Sequence, residues 1–357
     1  MEFQKHFLHV VGARPNFMKA APVVRALREK GSRQTLVHTG QHFDCNMSEV
    51  FFEQLGLPQP DSNLAVGPGS HAVQTAEVMM RLEPLLRERK PDAVVVYGDV
   101  NSTIAAALLA AKLGIHVVHV EAGLRSFDRS MPEEINRLLT DQISDTLFTP
   151  SADADENLRR EGIAGDKIHR VGNVMIDSLA HLLRESGEHL PANLPAEFAL
   201  VTMHRPANVD VPEFLRELLA TFAELSKKIS VIFPVHPRTR QRIAELSLGT
   251  MPNGTLHLLD PLPYLSFLAL EQRATFVITD SGGIQEETTF LRVPCLTVRE
   301  NTERPITVAV GSNKLVGREV SRLIEEADLV LGGRGKRGKI PPLWDGHAAE
   351  RIAAILT

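Results

Sequence analysis

Short runs of β-branched and apolar residues recur along the chain, separated by longer stretches in which apolar residues return every three or four positions. The runs FLHVV (7–11), TLVHT (35–39), DAVVVY (92–97), HVVHV (116–120) and TLFT (146–149) predict strands. Segments 17–30, 45–55, 71–90, 102–114, 132–144 and 151–161 between them carry the helical period. This alternation predicts a mostly parallel, doubly wound sheet. A polar stretch, HLPANLPAE, with Pro191 and Pro195, then interrupts the pattern and reads as a linker. The rhythm restarts with strands expected at 198–202, 230–235, 255–259, 275–279 and 294–298. The expectation is a two-lobed α/β protein: one lobe over 1–175, a linker over 176–194, a second lobe over 195–340, and a terminal helix within 341–357 that the pattern assigns to neither lobe.

A length of 357 residues fits two domains at roughly 150 residues each. The net charge of −5 gives no global attraction for nucleic acid or anionic lipid, so an anionic ligand needs a local cluster of donors. Two distant cysteines, Cys45 and Cys295, make neither a disulfide framework nor a zinc signature, which suits a reducing, cytoplasmic compartment. The start of the chain lacks the apolar core of a signal peptide, and the longest apolar run, 104–114, is short for a bilayer and contains Lys112. No membrane partner is expected.

Ligands of open parallel sheets bind beyond the carboxyl ends of the strands, so the residues that follow each strand carry the chemistry. They are GARPNFMK with Arg14 and Lys19, TGQH with Gln41 and His42, GDVNST with Asp99, EAGLRS with Glu121 and Arg125, MHRP with His204 and Arg205, HPRT with His236, and DSGGIQEE. Ser281, Gly282 and Gly283 join a strand to a helix, where free N–H groups and the helix dipole attract phosphate. Glu286 or Glu287 could accept hydrogen bonds from a ribose diol, and Arg304 in NTERP could hold a diphosphate or a base. An ordinary tight turn, a capped helix and a surface ion pair would account for the same residues one by one; their combination with the basic GARPNFMK loop favours the anion site.

Asp99 and Glu121 close neighbouring predicted strands and can share a crevice. Glu133, after Pro132, suits either a catalytic acid or the ordinary acidic first turn of a helix. His204 and His236 close strands, whereas the other histidines lack a metal-ligand spacing. No GxGxxG follows the first strand and the chain has no GxxxxGK[ST], which argues against nicotinamide, flavin and P-loop nucleotide chemistry.

GARPNFMK, the GD after VVVY, HVEAGLRS followed by PEEINR, the HR after VTM, PVHPRT, and TDSGGIQEE followed by RENTERP together resemble the non-hydrolysing UDP-N-acetylglucosamine 2-epimerases, in matching order from about residue 8 to 317. The resemblance implies the GT-B architecture: two Rossmann-like doubly wound lobes with an interdomain cleft. It implies that Ser281, Gly282 and Gly283 bind diphosphate, Glu287 the ribose, and Arg304 the UDP part, with Arg14 and Lys19 acting from the other lobe and His236 also in the substrate site. Asp99, Glu121 and Glu133 match the family's catalytic acids and His204 its catalytic-site histidine. Gln41 and His42 match a second, activating substrate site, and a homodimer that binds a UDP-sugar is implied. There are departures. Ala13-Arg14-Pro15-Asn16 replaces a common Thr-Arg-Pro-Glu, Tyr97 a frequent histidine, and Met203 a usual glycine, all expected near the sugar; Phe43-Asp44 departs at the second site.

The expected reaction is C2 epimerisation by anti elimination of UDP, a 2-acetamidoglycal intermediate and re-addition, with no cofactor and no metal. Competing readings are a hydrolysing epimerase, an epimerase of a related UDP-acetamido sugar, a GT-B glycosyltransferase and a non-catalytic sugar-nucleotide sensor.

Overall fold

The computed structural model describes residues 4–41, 52, 54–245 and 255–357. The chain divides into two compact units, Met1–Ala180 with Pro342–Thr357, and His181–Pro341. The helix expected at 45–55 falls largely outside the described residues.

In the first unit, strands β1 (His6–Val11), β2 (Arg33–His38), β3 (Ser62–Asn63), β4 (Ala93–Tyr97), β5 (His116–Val120), β6 (Thr146–Thr149) and β7 (Ile168–Arg170) form one parallel sheet in the order β3-β2-β1-β4-β5-β6-β7. The order reverses between β1 and β4, which makes their carboxyl ends the topological switch point. Val94, Val95 and Val96 are completely buried, as a strand covered on both faces requires. The Asn101–Lys112 helix brings Ala105, Ala106, Ala107 and Ala110 to zero exposure, and these small side chains let it lie close on the sheet. The Arg14–Glu29 helix begins three residues earlier than its period suggested, because Pro15 is tolerated in a first turn.

The second unit repeats the plan. Strands β8 (Phe198–Thr202), β9 (Ser230–Pro234), β10 (Leu256–Leu259), β11 (Phe276–Thr279), β12 (Cys295–Thr297) and β13 (Asn313–Leu315) pair in parallel in the order β10-β9-β8-β11-β12-β13, with the switch point between β8 and β11. One side of its core is built on Phe214, Leu218, Phe222 and Phe233, with the last two rings edge-on at 5.8 Å. Both units are thus Rossmann-like and doubly wound. Among the described residues no helix is long and apolar enough to cross a membrane.

The segment 176–194, expected as linker, starts inside a helix, Val174–Ser186, followed by a 3-10 turn at Gly187–His189. Ile176, Leu179 and Leu182 are buried, and that apolar stripe sustains the helix up to the proline-rich stretch. The division between the units falls within this helix. The terminal helix, Ala348–Leu356, belongs to the first unit and packs on the Arg14–Glu29 helix.

Asp177 anchors the terminal helix: its two carboxylate oxygens accept the N–H groups of Ala348 (3.1 Å) and Ala349 (2.7 Å). These donors belong to a first helical turn and have no partner within their own helix. Asp177→Ala therefore lowers the stability of the first unit by about 2 kcal/mol. The single tryptophan, Trp344, reports this unfolding, because it is buried in the same unit with its Nε1 donating to the Pro150 carbonyl at 2.9 Å. An unshifted denaturant midpoint in Trp344 fluorescence would contradict the anchoring role.

Candidate active site

At the switch point of the first unit, the turns after β1, β4 and β5 converge. Lys19, on the buried face of the Arg14–Glu29 helix, forms an ion pair with Glu121, immediately after β5; both side chains are buried. Gly98 runs between them. A Cβ at Gly98 would stand 2.7 Å from Lys19 Nζ and 3.2 Å from Glu121 Oε2, and its φ of +62° is itself a glycine conformation. Glu121 has φ +73°, rare for a residue with a side chain. The backbone is held there because the N–H groups of Glu121 and Ala122 both donate to the Phe148 carbonyl, at 3.1 and 3.0 Å. Strained backbone of this kind persists only when its surroundings enforce it.

Asp99, next in the chain after Gly98, pairs with Arg137 of the Pro132–Ile143 helix. The other guanidinium nitrogen of Arg137 binds Glu134 Oε2 at 2.8 Å. Glu134 also accepts from Ser126 N, Ser126 Oγ and Phe127 N, each at 2.9 Å. Arg137 thereby ties the Asp99 turn to the loop after Glu121. Glu133 is exposed on the first turn of that helix, while its neighbour Glu134 is buried. Arg14 is exposed at the start of its own helix.

A second layer supports these turns. The His119 ring bridges Asp141 Oδ1 (2.6 Å, from Nδ1) and the Gly98 carbonyl (2.8 Å, from Nε2). Arg125 binds Asp141 Oδ2 at 2.7 Å and grips Glu161 with two nitrogens at 2.8 and 2.5 Å. Burial pushes the Asp141 carboxyl upward, but the adjacent His119 and Arg125 outweigh it and hold it below the usual carboxylate range. Gln41 is buried and its side-chain carbonyl accepts from Ser102 N (3.0 Å) and Ser102 Oγ (2.7 Å). His42 lies outside the described residues.

At the switch point of the second unit, the completely buried Asp280 organises the end of β8. It accepts from His204 N (3.1 Å), Arg205 N (2.9 Å) and Asn208 Nδ2 (3.1 Å), and it pairs with His204 Nδ1 at 3.2 Å. The His204 ring stays 45% exposed, so one face remains available to a ligand. His236 stands 6.4 Å away, centroid to centroid. Its pKa is lowered, first by burial and then by His204 and Arg238.

Ser281 precedes the Gly282–Leu291 helix, and no side chain caps that helix start. Its first-turn N–H groups therefore point outward, as an anion site requires. Arg304 packs against the start: a Cβ at Gly282 would lie 2.6 Å from Arg304 Nη1 and 2.6 Å from Glu303 Oε1. Glycine is needed there for close approach. Arg304 binds Glu286 Oε1 at 2.9 Å and also pairs with Glu303, which in turn binds Arg299 at 2.8 Å. The half-buried Arg205 completes this basic group. Burial, then Arg299, lowers its pKa, against the opposing pull of Glu303 and Asp280. Of the two carboxylates left open by the sequence, Glu286 is engaged by Arg304, and Glu287 receives the Tyr264 hydroxyl at 2.9 Å.

The structure thus brings Lys19, Asp99 and Glu121 to one switch point, and His204, His236, Ser281, Gly282, Gly283 and Arg304 to the other. Two residues expected near the sugar have buried side chains. Tyr97 is fully buried with its hydroxyl on His9 Nδ1 at 2.7 Å, and Met203 belongs to the core of the second unit. Both sit at the ends of strands in sheets covered on both faces, so either direction of the side chain leads into the interior. Sequence reasoning missed Asp280, Arg299, Glu303, Glu134 and Arg137. Asp280 and Arg137 were within reach: one stands directly before SGG, and the other lies one helical turn after Glu134, on the same face. Among the described residues, no cluster of three histidine, cysteine or acidic side chains is arranged to hold a metal.

The family model for UDP-N-acetylglucosamine 2-epimerase matches residues 25–357. A relative from Methanocaldococcus jannaschii, UDP-N-acetylglucosamine 2-epimerase, is 44% identical over 98% of both chains. A relative from Pseudomonas aeruginosa, UDP-2,3-diacetamido-2,3-dideoxy-D-glucuronate 2-epimerase, is also 44% identical over 98% of both chains. The crystal structure of Methanocaldococcus jannaschii UDP-GlcNAc 2-epimerase in complex with UDP-GlcNAc and UDP superposes with a TM-score of 0.89 at 43% identity, covering 98% of this chain and 99% of that one.

Proposed function

Since the chain belongs to the UDP-N-acetylglucosamine 2-epimerase family, we propose that it interconverts UDP-N-acetylglucosamine and UDP-N-acetylmannosamine without hydrolysis. The observation that carries this reading is the placing of Asp99 and Glu121, with Lys19, at the carboxyl ends of two adjacent strands of the first unit. The C2 proton of a 2-acetamido sugar is not acidic, because no ring carbonyl adjoins it. Departure of UDP makes C1 oxocarbenium-like and acidifies that proton. In the α-gluco isomer the C1–O and C2–H bonds are both axial and antiperiplanar. A carboxylate of the set Asp99, Glu121 and Glu133 removes the proton as the C1–O bond breaks, leaving a 2-acetamidoglycal and UDP. Reprotonation on the opposite face and re-formation of the C1–O bond give the manno isomer. Two faces need two proton carriers, which accounts for more than one carboxylate.

The second unit supplies the UDP site: the N–H groups at Ser281, Gly282 and Gly283 and the cations Arg304, Arg299 and Arg205 hold the departing diphosphate, with His204 at its edge. Glu287 receives the ribose. The family resemblance assigns Arg14 and Lys19 of the first unit to substrate binding as well. A second reading, an epimerase of a UDP-diacetamido-uronic acid, is favoured by the equal identity to the Pseudomonas relative.

NMR of the protein with each UDP-sugar in D2O tests both readings. Deuterium at C2 with the manno product is expected from one of the two sugars. Free N-acetylmannosamine would identify the hydrolysing form. Unchanged spectra with both sugars would refute epimerisation and favour a transferase or a sensor.

A further inference from the structure

Glu271 is a glutamate in the interior of the second unit that the reaction does not use. It lies on the Tyr264–Arg273 helix, has no exposed surface, and neither carboxyl oxygen meets a hydrogen-bond donor. The Glu287 carboxyl, on the neighbouring Gly282–Leu291 helix, lies within hydrogen-bonding reach, and the buried Cys295 thiol of β12 is the other titratable group that faces it. Two turns earlier on the same helix, Tyr264 donates its hydroxyl to Glu287 Oε1 at 2.9 Å. One helix therefore addresses Glu287 twice.

A carboxylate without donors in an apolar interior is costly, and two carboxylates in contact do not both ionise. Burial, then Glu287, drives the Glu271 pKa well above its usual range. A single proton placed between the groups turns a repulsion into a strong O–H···O hydrogen bond.

We propose that Glu271 is a positioning residue: as a neutral carboxylic acid it donates to Glu287 and, with Tyr264, fixes that carboxylate for a ribose diol. The ligand part rests on the reading of Glu287 given above. Glu271 itself touches no substrate.

The test uses the full chain and two probes, UDP and 2′,3′-dideoxy-UDP, with affinities from calorimetry. In the wild type UDP binds about tenfold or more tighter than the dideoxy analogue. Glu271→Gln keeps a donor and an uncharged group, so it retains that preference within about twofold. Glu271→Leu removes the donor. Its preference for UDP collapses towards unity, while affinity for the dideoxy analogue changes little. An infrared difference spectrum, wild type minus Glu271→Gln, shows the carbonyl stretch of a protonated carboxyl at neutral pH. Equal loss of both ligands in Glu271→Leu would mean a merely structural role and overturn the proposal. Absence of the protonated-carboxyl band would overturn the shared proton. A wild type that does not distinguish the two probes would instead refute the ribose role of Glu287, and the infrared band would still decide the proton.

Discussion

Glu121→Gln lowers turnover at least about 100-fold, the usual scale for loss of a positioned acid or base. The glutamine matches the shape of the glutamate and adopts the same left-handed backbone, but it cannot carry a proton between sugar and protein. It also leaves Lys19 buried without its counter-charge, and breaking a buried pair from one side costs about 3–5 kcal/mol. Lost activity and lost stability must therefore be separated. Lys19→Met with Glu121→Gln removes both charges and is expected to recover most of the stability in Trp344-detected unfolding, yet to remain inactive. Asp99→Asn provides the matching result without the stability loss, because Asp99 is partly exposed and asparagine still accepts from Arg137. Near-normal C2 exchange in a folded Glu121→Gln or Asp99→Asn protein would remove that residue from the mechanism.

Asp280→Asn weakens UDP binding by at least about 100-fold and destabilises the second unit by about 3 kcal/mol. The carboxylate is completely buried and accepts from two backbone N–H groups and the Asn208 amide. An asparagine of the same shape turns its NH2 towards one of these donors and leaves it unpaired, which is the costly case. The turn carrying His204 and Arg205 then loses its anchor beside the Ser281–Gly283 segment. Calorimetric titration with UDP reads the affinity. The Trp344 signal, which belongs to the first unit, is expected to move much less than the global unfolding enthalpy. Unaltered UDP affinity would show that Asp280 does not shape the nucleotide site.

Much of the fold was legible because each strand is a run of buried β-branched residues with a glycine or a charge at its end. HVVHV, TLFT and FALVT became strands with the expected limits, His116–Val120, Thr146–Thr149 and Phe198–Thr202. The strands Ser62–Asn63, Ile168–Arg170 and Asn313–Leu315 were not legible, since two or three residues at a sheet edge carry no period of their own. At the site, Glu133 and Glu134 could not be separated by pattern. Adjacent helical residues point about 100° apart, and only the packing against Ser126, Phe127 and Arg137 makes Glu134 the buried one.

The local sequence by itself determined the elements, the two parallel sheets and the reactive residues at the strand ends, because hydrophobic period, glycine turns and helix starts are local properties. Tertiary structure alone decided which charges meet. Lys19 finds Glu121 across 102 positions, Asp99 finds Arg137 across 38, and His204 finds Asp280 across 76. These pairs exist because the winding of each sheet lays distant turns side by side at its switch point, and in a buried setting a charge must find a partner wherever the chain brings one. No pattern along the chain encodes that distance.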